Sequence, residues 1–364
     1  MLPLSYSTNL HRAETPADLL TEVVPFAGLL RRDLGWDRLG LDLRLGFAAL
    51  DLDPGVFRRS CEAQGLVVHT LNGFPLEPFQ APVVKEGAYR PDWTDLRRVT
   101  ATRRLMEILL ALSDEPLLTI STVPGSFAPW RADPAQIAAH LLTLAAEARA
   151  IEDGTGRRII LALEPEPWCS LETTWDAVAF WQRWILPTGL GRWLGLCFDT
   201  CHASLAFEDP AEAVARLVAA GIPIPKAQVS AAPEARNAAG LVALARLAEP
   251  RFLHQTAARS SAGSVARQVD LTDLPALTAR LPGWTAIRSH FHIPLHAHLP
   301  DLASTADESR IAVAALRAAG CTHLGVETYT WPLLSPDGAA IRAGTAAELR
   351  ELAAWCHDGL QRPS

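Results

Sequence analysis

The stretch LGLCFDTCHA places a carboxylate and an imidazole directly after a run of apolar residues. It spans residues 194–203, with Asp199 at the end of the run and His202 three residues later. A carboxylate and an imidazole at the end of a buried strand are groups that hold a metal ion or transfer a proton. The alternative interpretation is an ordinary strand end that meets water.

Polar side chains end or interrupt several other apolar runs. These side chains are Asn9, His11, His69, Asn72, Glu164, Glu166, Gln228 and Glu327. Carboxylates that share one volume repel each other and raise one another's pKa values, and a divalent cation between them removes that cost. Carboxylate oxygens, an amide oxygen and an imidazole make a mixed ligand shell that suits Mn²⁺, Mg²⁺ or Zn²⁺.

The elements that must position these groups are short apolar runs that alternate with helical patterns. We predict strands at 3–9, 39–45, 66–72, 116–122, 158–164, 194–200, 225–231 and 323–329. One helical pattern between them begins with Asp133 as the N-cap and Pro134 as the first helical residue. Eight such strands predict an α/β fold, a (β/α)₈ TIM barrel with its chemistry at the carboxyl ends of the strands. An open doubly wound sheet is the alternative, although no GxGxxG motif follows the first strand.

The uneven spacing of the strand ends predicts an inserted segment. Gln228 and Glu327 are 99 residues apart, which is too far for one strand–helix unit. We therefore expect an insertion at 232–305, between the seventh and eighth strands, that covers the barrel mouth. The stretch 73–93 is rich in proline, glycine and aromatic residues and is expected to form an ordered, lid-like loop. The sequence has no evident linker or repeat, so we predict one domain over 1–364.

Composition and charge argue against several classes of partner. The chain has 33 lysines and arginines against 40 acidic residues, a formal net charge of -7, so nucleic acid is not the expected partner. No run of apolar residues is long enough to span a membrane, and no signal peptide is apparent at the start. Six scattered cysteines without CxxC pairs indicate a reducing, cytoplasmic location.

Three motifs resemble the xylose isomerase-like superfamily, which includes sugar isomerases and epimerases, inosose dehydratases and endonuclease IV. The motifs are LALEPEP, LCFDTCH and GVETYTW, in that order along the predicted barrel strands. In that superfamily a Glu, an Asp, a His and a second Glu from the last four strands hold the metal. The resemblance implies Glu164, Asp199, Gln228 and Glu327 as metal ligands. It also implies His202 as a further ligand or as a contact to the substrate.

A second resemblance runs over nearly the whole chain and is to the EboE family of metabolite traffic proteins. It rests on LNGFP, VKEGAYRPDW, ISTVPGSF, LALEPEPWC, FDTCH, AQVSAA, FLHQ, HFHIPLH and VETYTWPLL. The resemblance implies a bacterial gene cluster for prenylated or aromatic secondary metabolites. It also implies association with other proteins of that cluster.

Gln228 stands where the sugar isomerases carry a histidine, and an amide is a weaker ligand than an imidazole. The insertion contains His254, His290 and His292, which can compensate if the segment folds back over the mouth. Strand alternation in HFHIPLH would put His290 and His292 on one face. We predict His254 as a metal ligand, and His290 and His292 as substrate contacts with metal ligation as their alternative role.

The remaining site predictions assign the proton chemistry and the substrate contacts. Glu164 and Glu327 are the predicted catalytic pair, because paired carboxylates can move a proton. The predicted substrate contacts are His11, Asn72, Glu166, His202, His290, His292 and Trp331. Each carboxylate alone can instead be a strand-end group paired with an arginine. His69, in the middle of a predicted strand, is typical of a core histidine.

Three functions are compatible with these features. The first is a divalent-metal-dependent isomerase or epimerase-like enzyme, in which the metal holds vicinal oxygens of a polar small molecule and stabilises developing charge. The second is a metabolite carrier that has the same barrel without catalysis, which Gln228 favours. The third is endonuclease-like DNA repair, which requires a basic face that a pI of about 5.9 disfavours.

Overall fold

The computed structural model describes residues 3–358, and a closed barrel of parallel strands forms its centre. Within those residues the strands are β1 (Ser5–Ser7), β2 (Leu39–Arg44), β3 (Leu66–Asn72), β4 (Leu117–Thr122), β5 (Arg158–Leu163), β6 (Leu194–Asp199), β7 (Lys226–Val229), β8 (Pro233–Ala235), β9 (Thr256–Ser260), β10 (Val265–Gln268), β11 (Trp284–Ser289), β12 (Ala303–Ser304) and β13 (His323–Val326). Strands β1 to β7 follow one another around the barrel, and β13 lies between β7 and β1.

The barrel confirms the predicted fold class. Each of the eight predicted runs overlaps one barrel strand, and every pairing between neighbours is parallel. The pairing of β1 with β13 closes the sheet, so the open doubly wound alternative is wrong. The strands are buried on both faces, which explains why they read as nearly continuous apolar runs.

Helices lie between the strands along the chain. They are α1 (Pro16–Asp18), α2 (Val24–Leu34), α3 (Pro54–Glu62), α4 (Leu96–Leu112), α5 (Pro134–Thr155), α6 (Thr174–Phe180), α7 (Thr200–Leu205), α8 (Pro210–Ala219), α9 (Ala238–Ala245), α10 (Leu274–Arg280), α11 (Ala306–Ala318), α12 (Trp331–Leu334) and α13 (Gly338–Asp358). Asp133 caps α5 as predicted, since its side chain accepts a hydrogen bond from the Ala135 N–H. None of the helices in the described part of the chain has the length and hydrophobicity needed to cross a membrane.

The segment between β7 and β13 forms an antiparallel sheet of its own. Its strand order is β10-β9-β11-β8-β12, and helices α9 and α10 pack against it over a small apolar core that includes Leu244, Leu277 and Ile287. Strand β11 ends at Ser289, so the strand alternation expected over HFHIPLH does not extend to these residues. His290 and His292 therefore lie on the irregular backbone that returns from this sheet to the barrel.

The loop 73–93 is tied to this inserted segment. The backbone N–H groups of Val84 and Lys85 both donate to the carbonyl of Arg251, at 2.7 and 2.8 Å. The Lys85 ammonium donates to the Phe252 carbonyl and to Asp270, each at 2.7 Å. Four hydrogen bonds thus join two segments that are far apart in sequence, and both lie above the carboxyl ends of the strands.

Candidate metal centre

A cavity lies at the carboxyl ends of the barrel strands. Its polar floor consists of Asn9, Asn72, Glu164, Glu166, His202, His290, His292 and Glu327. Six of these residues follow or end barrel strands or lie in α7, and the two histidines at 290 and 292 come from the inserted segment. The fold therefore brings seven of the residues predicted from the sequence, together with Asn9, to one volume.

The three-residue spacing between Asp199 and His202 follows from helix capping. Asp199 is the last residue of β6 and the N-cap of α7, and its Oδ1 accepts a hydrogen bond from the His202 N–H at 2.9 Å. This cap places the imidazole beside the carboxylate in the first helical turn. The other oxygen, Oδ2, is buried and has no hydrogen-bond partner. Asp199 thus caps helix α7 with one oxygen, and its other oxygen has no hydrogen-bond partner.

Three imidazole rings converge on one point of the cavity. The Nε2 atoms of His202 and His290 are 2.9 Å apart, those of His290 and His292 are 3.1 Å apart, and those of His202 and His292 are 3.4 Å apart. We call these three residues the histidine triad. Two of them were predicted as neighbours on one face, but their meeting with His202 depends on how the inserted segment folds back.

Hydrogen bonds at the opposite ring nitrogens fix the tautomer of each triad ring. His202 Nδ1 lies 3.0 Å from the Pro165 carbonyl, His290 Nδ1 lies 2.6 Å from the Gln255 Oε1, and His292 Nδ1 lies 2.8 Å from the Glu327 carbonyl. Carbonyl oxygens only accept, so every Nδ1 must carry the proton and every Nε2 must present a lone pair. Three lone pairs therefore face one another, and each can be satisfied at once by a cation.

The spacing of the three nitrogens matches metal coordination. Metal–imidazole bonds of about 2.0–2.1 Å, at angles between octahedral and tetrahedral, put two nitrogens about 2.9–3.4 Å apart. The triad covers this range. Burial lowers the pKa of all three rings, to about 4 for His202, so the imidazoles are in the neutral form that binds metals.

Two carboxylates adjoin the triad, and each has one buried oxygen without a hydrogen-bond partner. Oε2 of Glu164, like the free Oδ2 of Asp199, is buried without a hydrogen bond. Ligand atoms of Glu164, Asp199 and His202 lie within 4.8 Å of one another. Burial, and then the charge of Asp199, raises the pKa of Glu164 well above its usual range. A divalent cation would offset both effects, so the donor set fits the metal that the resemblance implies.

Glu327 and Gln228 are hydrogen-bonded to each other and to other side chains of the barrel. Glu327 Oε1 already accepts hydrogen bonds from Asn9 at 2.6 Å, Gln228 at 2.8 Å and Asn72 at 3.1 Å. Gln228 directs its amide nitrogen to Glu327 and to Asp42, so its carbonyl oxygen points away from the cavity floor. Gln228 therefore presents its amide nitrogen, and not its carbonyl oxygen, to these two carboxylates.

Three other predicted site residues lie outside this cavity. Both ring nitrogens of His254 are occupied, by Glu249 at 2.9 Å and by the His290 carbonyl at 2.8 Å, so His254 has none left for a metal. His11 contacts the Tyr6 hydroxyl and does not line the cavity. Trp331 donates its indole N–H to Glu348 at 2.8 Å and faces the C-terminal helix. The structure thus brings none of these three side chains to the cavity lining.

Several functional candidates were missed by the sequence reasoning. Lys226 and Asp42 form an ion pair of 2.7 Å inside the barrel, below the floor, with both side chains 2 % exposed. A charged residue within an apolar run, as in LGLDLRL and PKAQVSA, was the available signal. Gln255 was missed as well. Its amide nitrogen donates a hydrogen bond to the Tyr89 hydroxyl at 2.6 Å. Tyr89 in turn must donate to Glu166, at 2.7 Å.

A sequence profile of the xylose isomerase-like TIM barrel family matches residues 33–249, which is more than half of the chain. The chain therefore belongs to the xylose isomerase-like TIM barrel family. No curated protein is significantly similar to it in sequence.

Solved structures with the same fold cover nearly the whole chain. A xylose isomerase domain protein from Planctomyces limnophilus has 12% identity and a TM-score of 0.52, over 99% of this chain and 98% of its own. A xylose isomerase-like protein from Mycobacterium smegmatis, solved with magnesium, has 13% identity and a TM-score of 0.52, over 97% of both chains. The probable 3-DHS dehydratase AsbF from Bacillus anthracis has 13% identity and a TM-score of 0.51, over 97% of this chain and 99% of its own. At such identities the likeness establishes the shared fold.

Proposed function

We propose that the protein is a divalent-metal-dependent, isomerase- or epimerase-like enzyme that acts on a polar small molecule. The observation that carries the proposal is the histidine triad, in which three Nε2 lone pairs converge without a proton between them. The triad would hold the metal, with Glu164 and Asp199 close enough to complete the shell. This set shares Glu164 and Asp199 with the one expected from the sequence and has the triad in place of Gln228 and Glu327, which are hydrogen-bonded to each other.

The bound metal would polarise vicinal oxygens of the substrate and stabilise negative charge as it develops. The chain's own carboxyl groups would move the proton. Glu164 is the first candidate, because its Oε2 is buried on the cavity floor without a partner. Glu327 is the second, and the three amide donors on its Oε1 hold it in one orientation. Paired groups of this kind can remove a proton on one side of a carbon and return it on the other.

Asn72 and Glu166 would contact the substrate from the cavity floor. Tyr89 donates to Glu166 at 2.7 Å, so the lid loop that carries Tyr89 helps to orient this carboxyl group. Burial raises the pKa of Glu166 to about 8, which favours the protonated form at neutral pH. In that form Glu166 is a hydrogen-bond donor to a substrate oxygen.

A metabolite carrier is the second candidate function. It is favoured by the hydrogen bond from Gln228 to Glu327, because this bond engages two side chains at positions where the sugar isomerases carry metal ligands. Membership of the EboE family, with a role in secondary metabolism in the cytoplasm beside other proteins of the cluster, belongs to the proposal as well. It is supported by the motifs in the sequence.

Metal uptake separates the enzyme from the carrier. Protein purified without chelator would be analysed for its elements and titrated with Co²⁺, whose visible absorption reports imidazole ligation. We expect one equivalent in the wild type and a loss of affinity greater than about 100-fold in His290→Ala and His292→Ala, because losing a direct ligand should exceed the effect of its supporting contacts. His254→Gln is the matched control, since that buried histidine lies in the same segment and has no free nitrogen.

If the wild-type protein takes up no metal at a millimolar ion concentration, the metal-dependent enzyme is excluded and the carrier remains as the candidate function. If metal binds, proton transfer would be tested by incubating the loaded protein with neutral keto sugars and polyols in D₂O. Incorporation of deuterium at carbon, lost in Glu164→Gln, is the expected result. Metal binding without exchange on any compound of the panel would argue for binding without catalysis.

A further inference from the structure

An aromatic wall faces the polar floor across the cavity. The wall consists of Phe74, Phe79, Tyr89, Phe252 and Tyr329. The ring centres of Phe79 and Phe252 are 5.0 Å apart, and those of Phe252 and Tyr329 are 4.9 Å apart. The rings come from the lid loop, the inserted segment and the end of β13, so the wall exists only where these three segments meet.

The wall reaches the histidine triad. The ring centre of Tyr329 lies 4.6 Å from that of His292, and its hydroxyl lies 3.5 Å from Nε2 of His290. A molecule that binds at the triad through its oxygens must therefore lay the rest of its body against aromatic rings. Rings of this size bury large apolar areas and contribute strongly to binding.

The described lining of the cavity offers no free lysine or arginine to hold an anionic substrate. Glu164, Glu166 and Glu327 line the floor, and among the described lining residues Lys85 is the one lysine or arginine. Its ammonium already donates hydrogen bonds to Asp270 and to the Phe252 carbonyl. Phosphates and carboxylates are usually held by arginine forks or by lysines, and this cavity offers no such group free. A cationic substrate would be repelled by a metal at the triad.

We infer that the substrate is an uncharged, amphipathic molecule. Two vicinal oxygens at one end face the triad and the carboxyl groups, and an apolar ring or chain at the other end packs on the aromatic wall. Sugar phosphates and sugar acids fall outside this class. The inference rests on the proposed function, because the metal at the triad defines which end of the molecule is bound there.

Hydroxamates test the inference, because the hydroxamic acid head is uncharged in solution near neutral pH and presents two adjacent oxygens to a metal, losing its N–OH proton to the solvent as it binds. Three probes share this head: acetohydroxamate has no body, phenylacetohydroxamate adds an aromatic ring, and phosphoglycolohydroxamate adds a phosphate. Binding to Co²⁺-loaded protein would be measured by the change in its visible spectrum. We expect phenylacetohydroxamate to bind at least about tenfold more tightly than acetohydroxamate, because the ring adds apolar contact. The phosphate should give no gain.

Variants of the aromatic wall test whether its apolar contact causes the tighter binding of the phenyl probe. In Phe252→Ala we expect the advantage of the phenyl probe to fall below about threefold, with acetohydroxamate binding unchanged, since only apolar contact is lost. Phe252→Leu keeps an apolar side chain but removes the ring, so it should reduce the advantage in part, and it serves if the alanine variant does not fold. Val242→Ala, at a residue 56% exposed on helix α9 of the inserted segment, is the matched control.

The outcomes separate this inference from the proposed function. Wild-type protein that takes up no metal overturns both. Protein that binds the metal but binds all three probes equally, or prefers the phosphate, overturns the substrate class and leaves the metal centre standing. An advantage of the phenyl probe that persists in both Phe252 variants also overturns the role of the wall.

Discussion

Gln255 accepts a hydrogen bond from Nδ1 of His290 at 2.6 Å, and this contact decides which nitrogen of that ring faces the cavity. The amide can present its oxygen to His290 because its nitrogen donates to Tyr89 at 2.6 Å and to the Pro167 carbonyl at 3.2 Å. The Tyr89 hydroxyl in turn donates a hydrogen bond to Glu166. One buried glutamine thus connects the lid loop, the triad and a carboxyl group on the floor.

Removing the acceptor at this position should weaken metal binding. We expect Gln255→Met to lose about 10–100-fold in metal affinity, because the ring of His290 would no longer be held in the tautomer that exposes Nε2. Competition with a coloured chelator would measure the loss. Gln255→Glu retains an acceptor oxygen and should stay closer to the wild type. Equal losses in both variants would show that packing, and not the acceptor, is what matters.

Asp199 has two roles that two substitutions can separate. Asp199→Asn keeps an N-cap acceptor for the His202 N–H, whereas Asp199→Ala removes it. We expect the alanine variant to lose about 1 kcal/mol more in the free energy of unfolding of the metal-free protein. Both variants should bind metal more weakly, since both lack the negative oxygen. Urea denaturation and Co²⁺ titration would measure the two effects. Metal affinity preserved in Asp199→Asn would contradict a role for the charge.

The protonation of Glu166 should make the metal-free protein less stable at high pH. Burial raises its pKa from 4.5 to about 8, so between these values the folded chain keeps a proton that the unfolded chain has lost. That stability is complete below the unfolded pKa and is lost as the pH rises through about 8. In Glu166→Gln the free energy of unfolding should fall less with pH across this window, by up to about 1.4 kcal/mol per pH unit.

Urea denaturation in the presence of a chelator, at several pH values between 5 and 9, would measure this difference. Glu164 and Glu327 contribute to the slope in both proteins, so the comparison isolates one proton. Identical slopes for the wild type and for Glu166→Gln would mean that Glu166 is ionised in the folded protein.

The ion pair below the floor should be costly to break from one side. Lys226 also donates to Ser121 at 2.9 Å, and its partner Asp42 is buried. Lys226→Met leaves an unpaired carboxylate inside the barrel and should cost about 3–5 kcal/mol in the free energy of unfolding. The double variant Lys226→Met with Asp42→Leu should recover much of this loss. A double variant no more stable than the single one would contradict the argument.

The sequence by itself determined the barrel and the position of its chemistry. Hydrophobic runs such as RIILAL and LGLCFD are local patterns, and parallel strands buried on both faces must read this way. Because the carboxyl ends of parallel strands share one mouth, Glu164, Asp199 and Glu327 could be placed together without knowledge of any contact. The cap that Asp199 gives to helix α7 is equally local, and it explains why His202 stands three residues later.

Only the tertiary structure decided which groups meet within that mouth. His202 and His290 are 88 positions apart, and Lys226 and Asp42 are 184 apart, so their contacts depend on the path of the whole inserted segment and on closure of the barrel. The direction of the Gln228 amide was likewise set by the competing acceptors Glu327 and Asp42. No local pattern carries this information, because the partner that satisfies a buried polar group is chosen by three-dimensional packing.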